Sequence, residues 1–298
     1  MKPTKCFSLL CLPFLIMIGA GAAFGQNTIE VPCEFINNTI YLQVTINGTG
    51  PFLMTLDTGT NPSAINLATA QQLGLKLRSA KSAGKGFGSG QITTRKTKIA
   101  RLEVAGIVTK GVAFEALDLS AASAKSDKPI VGLLGYSFLK GRILQIDYPH
   151  HKLRFYQEPP FSRSRSQGEA RLAMIFDAHV PVIDIFVEGK RSRALLDTGG
   201  SYELLLTPEA VTHLGLEKEF KEAKILSGGG YAGQQEIRLG HVSRLSIGSF
   251  TANAPDVVFA TFGKDSPFKL AEGGLGTFFL KDFVITFDYR HKLIVLRK

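Results

Sequence analysis

Two aspartates, Asp57 and Asp197, are the side chains of this sequence best placed for chemistry, because each is followed by a threonine and a glycine. Each acid ends a largely apolar run, residues 52–56 in the first copy and 194–196 in the second, which predicts a buried strand entering a tight turn. Two carboxyl groups held about 3 Å apart share one proton, because they cannot both ionise. One can then take a proton from water while the other gives one to a carbonyl oxygen, as metal-free amide hydrolysis requires.

The sequence around the two triplets is repeated, which matters because turns favour Asp and Gly without any catalytic role. The acids lie 140 residues apart, and three later motifs recur at a spacing of 141 residues. These motifs are Leu-Gly-Leu at 73–75 and 214–216, a Leu-Gly to Leu-Lys segment at 134–140 and 275–281, and Asp-Tyr at 147–148 and 288–289. We infer a duplicated unit, with a pseudo-twofold axis passing between Asp57 and Asp197.

This pattern resembles the pepsin and retropepsin superfamily of aspartic proteases, in which two Asp-Thr-Gly loops, one from each lobe, meet in a single site. A second shared feature is an apolar-apolar-Gly segment about eighty residues after each triplet, at 133–135 and 274–276. In the family this segment packs across the catalytic loop. The resemblance covers nearly the whole mature chain. It implies an all-β, bilobal acid-protease fold built from two tandem retropepsin-like β-barrel repeats with short helices.

The resemblance also implies roles for the residues of both loops. A water activated between Asp57 and Asp197 would attack the peptide bond. The loop threonines would donate hydroxyl hydrogen bonds to the backbone of the opposite loop, and the glycines would let backbone amides approach the carboxylates. The supporting residues implied in this way are Thr58, Gly59, Thr60, Thr198 and Gly199.

The two loops differ at the residue after the triplet. Thr60 can donate a hydrogen bond to Asp57, whereas Gly200 has no side chain to donate to Asp197. A donor stabilises the charged form of a carboxyl group. The sequence therefore predicts that Asp57 is the usual base and that Asp197 holds the shared proton more often.

Glycine-dense segments, residues 84–91 and 228–234, fall at matching places in the two repeats. Neither ends in the Gly-Lys-Ser or Gly-Lys-Thr of a phosphate-binding loop. Their position resembles the flaps that close over substrate in the protease family, and a plain surface loop is the alternative. The flap interpretation makes Phe87, Gly88, Gly230 and Tyr231 candidate substrate-binding residues.

The first 25 residues are typical of a cleavable signal peptide. Lys2 and Lys5 precede an apolar core at 7–18, and Ala23-Phe24-Gly25 is a small-x-small cleavage site. A membrane anchor is the alternative, but the apolar core is short for a span. We expect cleavage after Gly25, a secreted or periplasmic location, and no stable membrane anchor in the mature chain.

The mature chain is expected to consist of two lobes, 26–156 and 171–298, joined by a linker at 157–170 that breaks the hydrophobic periodicity. Cys33 is the one cysteine that remains after cleavage, so no intramolecular disulfide is expected. The formal charge is +10, but the basic residues are spread out and lack interleaved aromatics. A solvated surface is therefore favoured over a nucleic-acid site.

Local patterns predict several elements that position the site. Residues 66–73 and 208–214 are predicted helices, each stopped by a glycine, with Thr207 as an N-cap. Residues 99–108 and 242–250 are predicted strands, with a turn at 247–249, and the Ala- and Ser-rich residues 119–127 an exposed loop.

Other chemistries find less support in the sequence. It contains no Gly-x-Ser-x-Gly elbow and no recognised zinc motif, so no metal and no cofactor are expected. The histidines at 150, 151 and 291 are interpreted as turn residues, and no aromatic sugar platform lies near either acid. The expected partner is a peptide or protein substrate, and an oligomer is not required because both acids are on one chain. The leading hypothesis is an aspartic endopeptidase; the alternative is a non-catalytic peptide-binding protein that retains the protease cleft.

Overall fold

A computed structural model of the chain describes residues 28–78, 82–84, 92–162, 164, 166–230, 233–260 and 269–298. Within these residues the fold is all-β with short helices, and each half of the chain builds its own sheet. The predicted fold class is therefore confirmed. The predicted leader lies outside the described residues, and no helix within them is both long and apolar enough to cross a membrane.

The first half of the chain begins with short strands and ends with a hairpin. Its strands are β1 Thr28–Val31, β2 Cys33–Ile36, β3 Thr39–Ile46, β4 Thr49–Leu56, β5 Ser63–Asn66, β6 Ser82–Gly84, β7 Ile92–Val104, β8 Ile107–Leu117, β9 Gly132–Leu134, β10 Ile143–Asp147 and β11 Lys152–Tyr156. Its helices are α1 Leu67–Gln72, α2 Ser120–Lys125 and α3 Tyr136–Leu139.

The second half follows the same plan. Its strands are β12 Glu169–Ala173, β13 Ile175–Asp177, β14 Val180–Val187, β15 Lys190–Leu196, β16 Leu204–Leu206, β17 Lys224–Gly230, β18 Gly233–His241, β19 Arg244–Ile247, β20 Phe250–Asn253, β21 Asp256–Ala260, β22 Gly273–Leu275, β23 Val284–Asp288 and β24 Leu293–Arg297. Its helices are α4 Pro208–Leu214, α5 Glu217–Glu222 and α6 Thr277–Leu280.

The two lobe sheets place the acid loops in the same way. In the first lobe the strand order is β2-β3-β4-β9-β5-β8-β7-β6, and in the second it is β17-β18-β21-β16-β22-β15-β14-β19-β20. The strand that leads to each acid, β4 or β15, pairs in parallel with β9 or β22, which in turn pairs antiparallel with β5 or β16. Each acid loop therefore leaves the interior of a sheet, where the backbone is fixed on both sides.

A third sheet, which we call the interlobe sheet, contains strands of both halves in the order β1-β11-β10-β23-β24-β12. Its central strands β10 and β23 pair antiparallel so that Gln145 lies opposite Thr286, and their side chains hydrogen-bond at 3.2 Å. These two residues are 141 apart and are equivalent in the repeat. Because equivalent positions pair with each other, the pseudo-twofold axis passes between them.

The core is continuous across the lobes. Buried side chains of both halves belong to one connected hydrophobic cluster, which includes Leu42 and Phe138 of the first half and Leu196 and Phe287 of the second. A core that is shared in this way couples the packing of one lobe to that of the other.

Helix α4 confirms its sequence prediction at both ends. The Thr207 side chain accepts a hydrogen bond from the Ala210 amide at 3.3 Å, and Gly215 ends the helix in the left-handed conformation with φ 72°. Helix α1 lies within the predicted range 66–73, with Asn66 as its cap.

Two local predictions were wrong. The predicted strand 99–108 contains a turn at Ala105-Gly106, where φ is 47° and 83°, because apolar residues on both sides of a tight hairpin resemble one continuous strand. The predicted exposed loop 119–127 contains α2 and begins with the fully buried Leu119. Alanine favours helix, and one buried anchor suffices to dock a short one. The predicted turn at 247–249 is confirmed between β19 and β20.

The described residues between Tyr156 and Glu169 form no helix or strand. Strand β12 begins at Glu169, inside the range assigned to the linker. The domain boundaries at 26–156 and 171–298 stay a prediction.

Candidate active site

The two acid loops are anchored to their own lobes by matching backbone hydrogen bonds. The amide of Asp57 donates to the carbonyl of Leu134 at 3.1 Å, and the amide of Asp197 donates to that of Leu275 at 3.0 Å. Leu134 and Leu275 end β9 and β22. Asp57 is therefore held at the end of β9, and Asp197 at the end of β22.

Each carboxyl group lies against the glycine of the opposite loop. A β-carbon added to Gly59 would lie 2.6 Å from Oδ1 of Asp197, and one added to Gly199 would lie 2.6 Å from Cγ of Asp57. Glycine is thus required at both places to allow this close approach. The structure therefore brings together Asp57 and Asp197, each beside the loop of the other.

The loop threonines join the two lobes through a reciprocal set of buried hydrogen bonds. The hydroxyl of Thr58 donates to the carbonyl of Leu196 at 2.6 Å and accepts from the amide of Thr198 at 3.1 Å. The hydroxyl of Thr198 donates to the carbonyl of Leu56 at 3.1 Å and accepts from the amide of Thr58 at 3.0 Å. Each hydroxyl thus donates one hydrogen bond and accepts another, and these four bonds fix one loop against the other.

Backbone and hydroxyl donors surround Asp57. Its Oδ1 accepts the Gly59 amide at 2.8 Å, and its Oδ2 accepts the Thr60 hydroxyl at 2.6 Å. The Gly199 amide similarly donates to Oδ1 of Asp197 at 2.9 Å. The Oδ1 atom of each acid therefore accepts one backbone amide from the glycine of its own loop.

The Oδ2 atom of each acid, which we call its outer oxygen, accepts a hydroxyl. For Asp197 this corrects the expectation from the sequence, which left that acid without a side-chain donor. The hydroxyl of Tyr202 donates to its Oδ2 at 2.8 Å, in the role that Thr60 plays for Asp57. The residue directly after the second triplet, Gly200, has no side-chain donor, and Tyr202 lies two positions further along the chain.

The signal for Tyr202 was the change of repeat spacing from 140 to 141 residues. Ala64 and Leu205 hold equivalent places beside β9 and β22, but Ala64 is seven residues after its acid and Leu205 is eight. The extra residue lies in the connection that carries Tyr202.

Three glycines of the second lobe make room for the Tyr202 ring. A β-carbon on Gly200 would overlap the ring and would lie 2.7 Å from Oδ2 of Asp197. One on Gly274 would lie 2.6 Å from the phenol oxygen, and one on Gly276 would lie 2.8 Å from the ring edge. The first lobe has Thr60 and Leu133 at the first two of these places.

The apolar-apolar-Gly segments pack across the acid loops. The amide of Tyr136 donates to the carbonyl of Thr60 at 2.9 Å, and the amide of Thr277 donates to that of Gly200 at 2.7 Å. A β-carbon on Gly135 would collide with the Thr60 carbonyl. This contact holds each loop against a second segment of its own lobe.

Comparison with known families decides the classification. The family model described as aspartyl protease matches twice, at residues 42–138 and 183–279, and each match contains one Asp-Thr-Gly triplet. The chain belongs to the aspartyl protease family. Comparison with curated proteins gives no match.

In this aspartyl protease the environment of the acids favours a shared proton. Burial and the charge of Asp197 raise the pKa of Asp57 from 3.8 to about 7, against the lowering effect of the Thr60 hydroxyl and a backbone amide. Burial also raises the pKa of Asp197, while the Tyr202 hydroxyl and two backbone amides act in the opposite direction. The pair titrates as a unit, and its monoanion holds one proton.

Two buried tyrosines of the repeat directly follow the central strands of the interlobe sheet. Tyr148 and Tyr289 are equivalent residues, both buried, and neither hydroxyl has a hydrogen-bond partner among the described residues. Burial raises the pKa of each, and the charge of Asp197 adds to the effect at Tyr148 as that of Asp57 does at Tyr289. Each tyrosine thus senses the acid of the opposite lobe.

The glycine-rich segments are only partly described. Gly230 ends β17 and pairs with Gly233 at the tip of the β17–β18 hairpin. The other candidate flap residues, Phe87, Gly88 and Tyr231, lie outside the described residues. Their assignment to substrate binding stays a prediction.

The histidines follow the repeat and form turns. His150 contacts Asp147 through Nδ1 at 2.7 Å, and His291 contacts Asp288 in the same way at 2.7 Å. Across the described part of the chain, no group of three His, Cys, Asp or Glu side chains is arranged to hold a metal ion.

Proposed function

We propose that this aspartyl protease is an active endopeptidase that hydrolyses peptide bonds with a water activated between Asp57 and Asp197. The observation that supports it most directly is the meeting of two carboxyl groups, one from each lobe, each packed against the glycine of the opposite loop. Such a pair holds one proton at mildly acidic pH and offers a base and an acid side by side.

The reaction needs no group beyond the pair and water. The carboxylate takes a proton from water, whose oxygen bonds to the carbonyl carbon, while the carboxyl group gives its proton to the carbonyl oxygen. One hydroxyl of the resulting diol then gives its proton to the carboxylate of the dyad. The C–N bond breaks, and the leaving nitrogen takes a proton from the carboxyl group of the dyad. The dyad ends as it began, with one proton.

The cross-lobe threonine bonds supply the geometry for these steps. Thr58 and Thr198 fix the separation of the two loops through four buried hydrogen bonds. A rigid, partly dehydrated pair of this kind loses little free energy to reorganisation when charge moves within it.

The rival hypothesis, a peptide-binding protein without activity, is separated from an enzyme by one experiment. Cleavage of an unfolded, carboxymethylated protein is followed from about pH 3 to about pH 8, with and without a statine-type inhibitor. We expect inhibitor-sensitive cleavage. Asp57→Asn and Asp197→Asn should each abolish it, since either change removes one partner of the acid–base pair at nearly constant volume.

The matched control is Asp282→Asn, which alters an exposed acid and should leave the rate unchanged. Near wild-type turnover in either dyad variant would contradict the mechanism. Binding of the inhibitor without any cleavage would favour the peptide-binding alternative.

We also propose that the chain is exported and that its leader is removed after Gly25. The support is the sequence pattern of residues 1–25. Expression of the full chain in a secreting host, followed by N-terminal sequencing of the exported protein, tests this. The first residue should be Gln26, and retention of residues 1–25 in a membrane fraction would contradict the proposal.

A further inference from the structure

We propose that Tyr202 is a positioning residue that keeps Asp197 as the ionised member of the dyad and so places the shared proton on Asp57. The role rests on the proposed function, because it assigns base and acid within the same pair. Asp197 would then take the proton from water, and Asp57 would give one to the carbonyl oxygen. This is the reverse of the assignment that the sequence alone predicted.

Each carboxyl group accepts one hydroxyl and one backbone amide. Asp197 accepts the Tyr202 hydroxyl at 2.8 Å and the Gly199 amide at 2.9 Å. Asp57 accepts the Thr60 hydroxyl at 2.6 Å and one backbone amide. Hydrogen bonds to a carboxylate favour its charged form, so the Tyr202 hydroxyl stabilises the ionised form of Asp197.

Exposure acts in the same direction. Asp57 is 4% exposed, whereas Asp197 is half-buried. Burial penalises the charged form of a carboxyl group, so the more deeply buried acid keeps the proton. The difference in exposure therefore favours a monoanion with its charge on Asp197.

The chemical nature of the donor adds to this effect. A phenol, with an ordinary pKa of about 10, is a more acidic and hence stronger donor than the aliphatic hydroxyl of Thr60. Burial and the charge of Asp197 raise the pKa of Tyr202 well above its usual value, so the phenol keeps its proton throughout the working range. The charge of Asp197 acts on Tyr148 and that of Asp57 on Tyr289, and both tyrosines stay neutral because their pKa values are raised too.

The second lobe is built around this phenol. Gly200, Gly274 and Gly276 each leave the space that the ring occupies, and a β-carbon at any of them would meet it. In the first lobe the place of Gly200 is held by Thr60, whose own side chain supplies the donor. The outer oxygen of each acid thus accepts one hydroxyl, from Thr60 in the first lobe and from Tyr202 in the second.

The assignment predicts which limb of the pH–rate profile each donor controls. The acidic limb reports formation of the monoanion, which here is ionisation of Asp197. The basic limb reports loss of the remaining proton, which here belongs to Asp57. Losing the donor to Asp197 therefore raises the pKa of the acidic limb, and losing the donor to Asp57 raises that of the basic limb.

The direct test compares Tyr202→Phe with Thr60→Val across the pH range. Tyr202→Phe keeps the ring and should move the acidic limb of kcat/KM upward by about one pH unit, with kcat reduced and KM nearly unchanged. Thr60→Val should move the basic limb upward and leave the acidic limb in place. The opposite pattern, or an unmoved acidic limb in Tyr202→Phe, overturns the proposal.

A second test places a hydroxyl in the second lobe at the position that Thr60 has in the first lobe. In Tyr202→Ala the acidic limb should move upward, and adding Gly200→Ser should return it towards the wild-type position, because a serine there stands where Thr60 stands relative to Asp57. Gly200→Ser alone should instead displace the Tyr202 ring and lower activity. An acidic limb that the double substitution leaves unchanged from Tyr202→Ala contradicts the donor role.

A readout without catalysis separates this inference from the proposed function. Carboxyl-labelled aspartates are titrated by 13C NMR in the full-length protein without inhibitor, with Asp57→Asn and Asp197→Asn used for assignment. Asp197 should ionise first in the wild type and at a higher pH in Tyr202→Phe. Ionisation of Asp57 first would overturn the inference, whereas a correct titration order without any peptide cleavage would overturn the proposed function alone.

Discussion

Asp57 shows how one residue links burial to stability. Its pKa is raised from 3.8 to about 7, first by burial and second by the charge of Asp197. The folded state therefore favours the protonated form of Asp57. Its contribution to stability is complete below about pH 4 and is lost as the pH rises through about 7.

We therefore expect the wild-type protein to lose stability between about pH 4 and about pH 8, and Asp57→Asn to lose much less. A pKa difference of one corresponds to about 1.4 kcal/mol, which makes a difference of about 1–4 kcal/mol between the two proteins reasonable across this range. Urea unfolding at several pH values measures it, with the exposed-acid variant Asp282→Asn as control. Parallel pH curves for wild type and Asp57→Asn would contradict the role of burial.

At the scale of elements, the two acid loops are joined to each other through their threonines. Each loop threonine bonds to a backbone carbonyl at the end of the opposite strand, at Leu56 or Leu196. Because these groups are buried, a lost partner is not replaced by solvent without cost.

Thr198→Val removes the hydroxyl at nearly constant shape and leaves two backbone groups, the Leu56 carbonyl and the Thr58 amide, without their partner. We expect a loss of about 1–3 kcal/mol in the free energy of unfolding for each group, together with lower turnover. Chemical denaturation provides the measurement. Thr198→Ser keeps the hydroxyl and should stay within about 1 kcal/mol of wild type; an equal loss in both variants would assign the effect to packing instead.

At the scale of the whole molecule, the lobes are joined by more than the acid loops. The interlobe sheet pairs β10 with β23 across the pseudo-twofold axis, and the hydrophobic core runs through both halves. Each half supplies three adjacent strands of this sheet, so β10 and β23 would each have an unpaired edge without the other half.

We therefore predict one cooperative unfolding transition for the full chain. Far-UV circular dichroism, tyrosine fluorescence and residual cleavage should share one midpoint in urea. The tyrosine signal can be followed directly, because the chain has seven tyrosines and no tryptophan. Loss of cleavage at a lower urea concentration, with half of the dichroism remaining, would show that the lobes unfold separately.

The sequence by itself determined the duplicated plan of this protein. The spacing of the Asp-Thr-Gly triplets and of the Leu-Gly motifs predicted two matching lobes and the meeting of Asp57 with Asp197, because a repeat in register must fold twice in the same way. Helix α4 was predicted with its cap and its stop, since Thr207 and Gly215 act through local backbone geometry.

Only the tertiary structure decided what depends on contacts between distant residues or on the direction of a side chain. The helix at 120–125 follows from the docking of Leu119 in the core, and the turn at Ala105-Gly106 from the pairing of β7 with β8. Tyr202 reaches Asp197 because one inserted residue redirects its connection and Gly274, seventy-two positions later, leaves the space for its phenol. The spacing of the repeats shows that one residue is inserted, but it does not show that the phenol turns towards Asp197, and so the sequence alone left Asp197 without a side-chain donor.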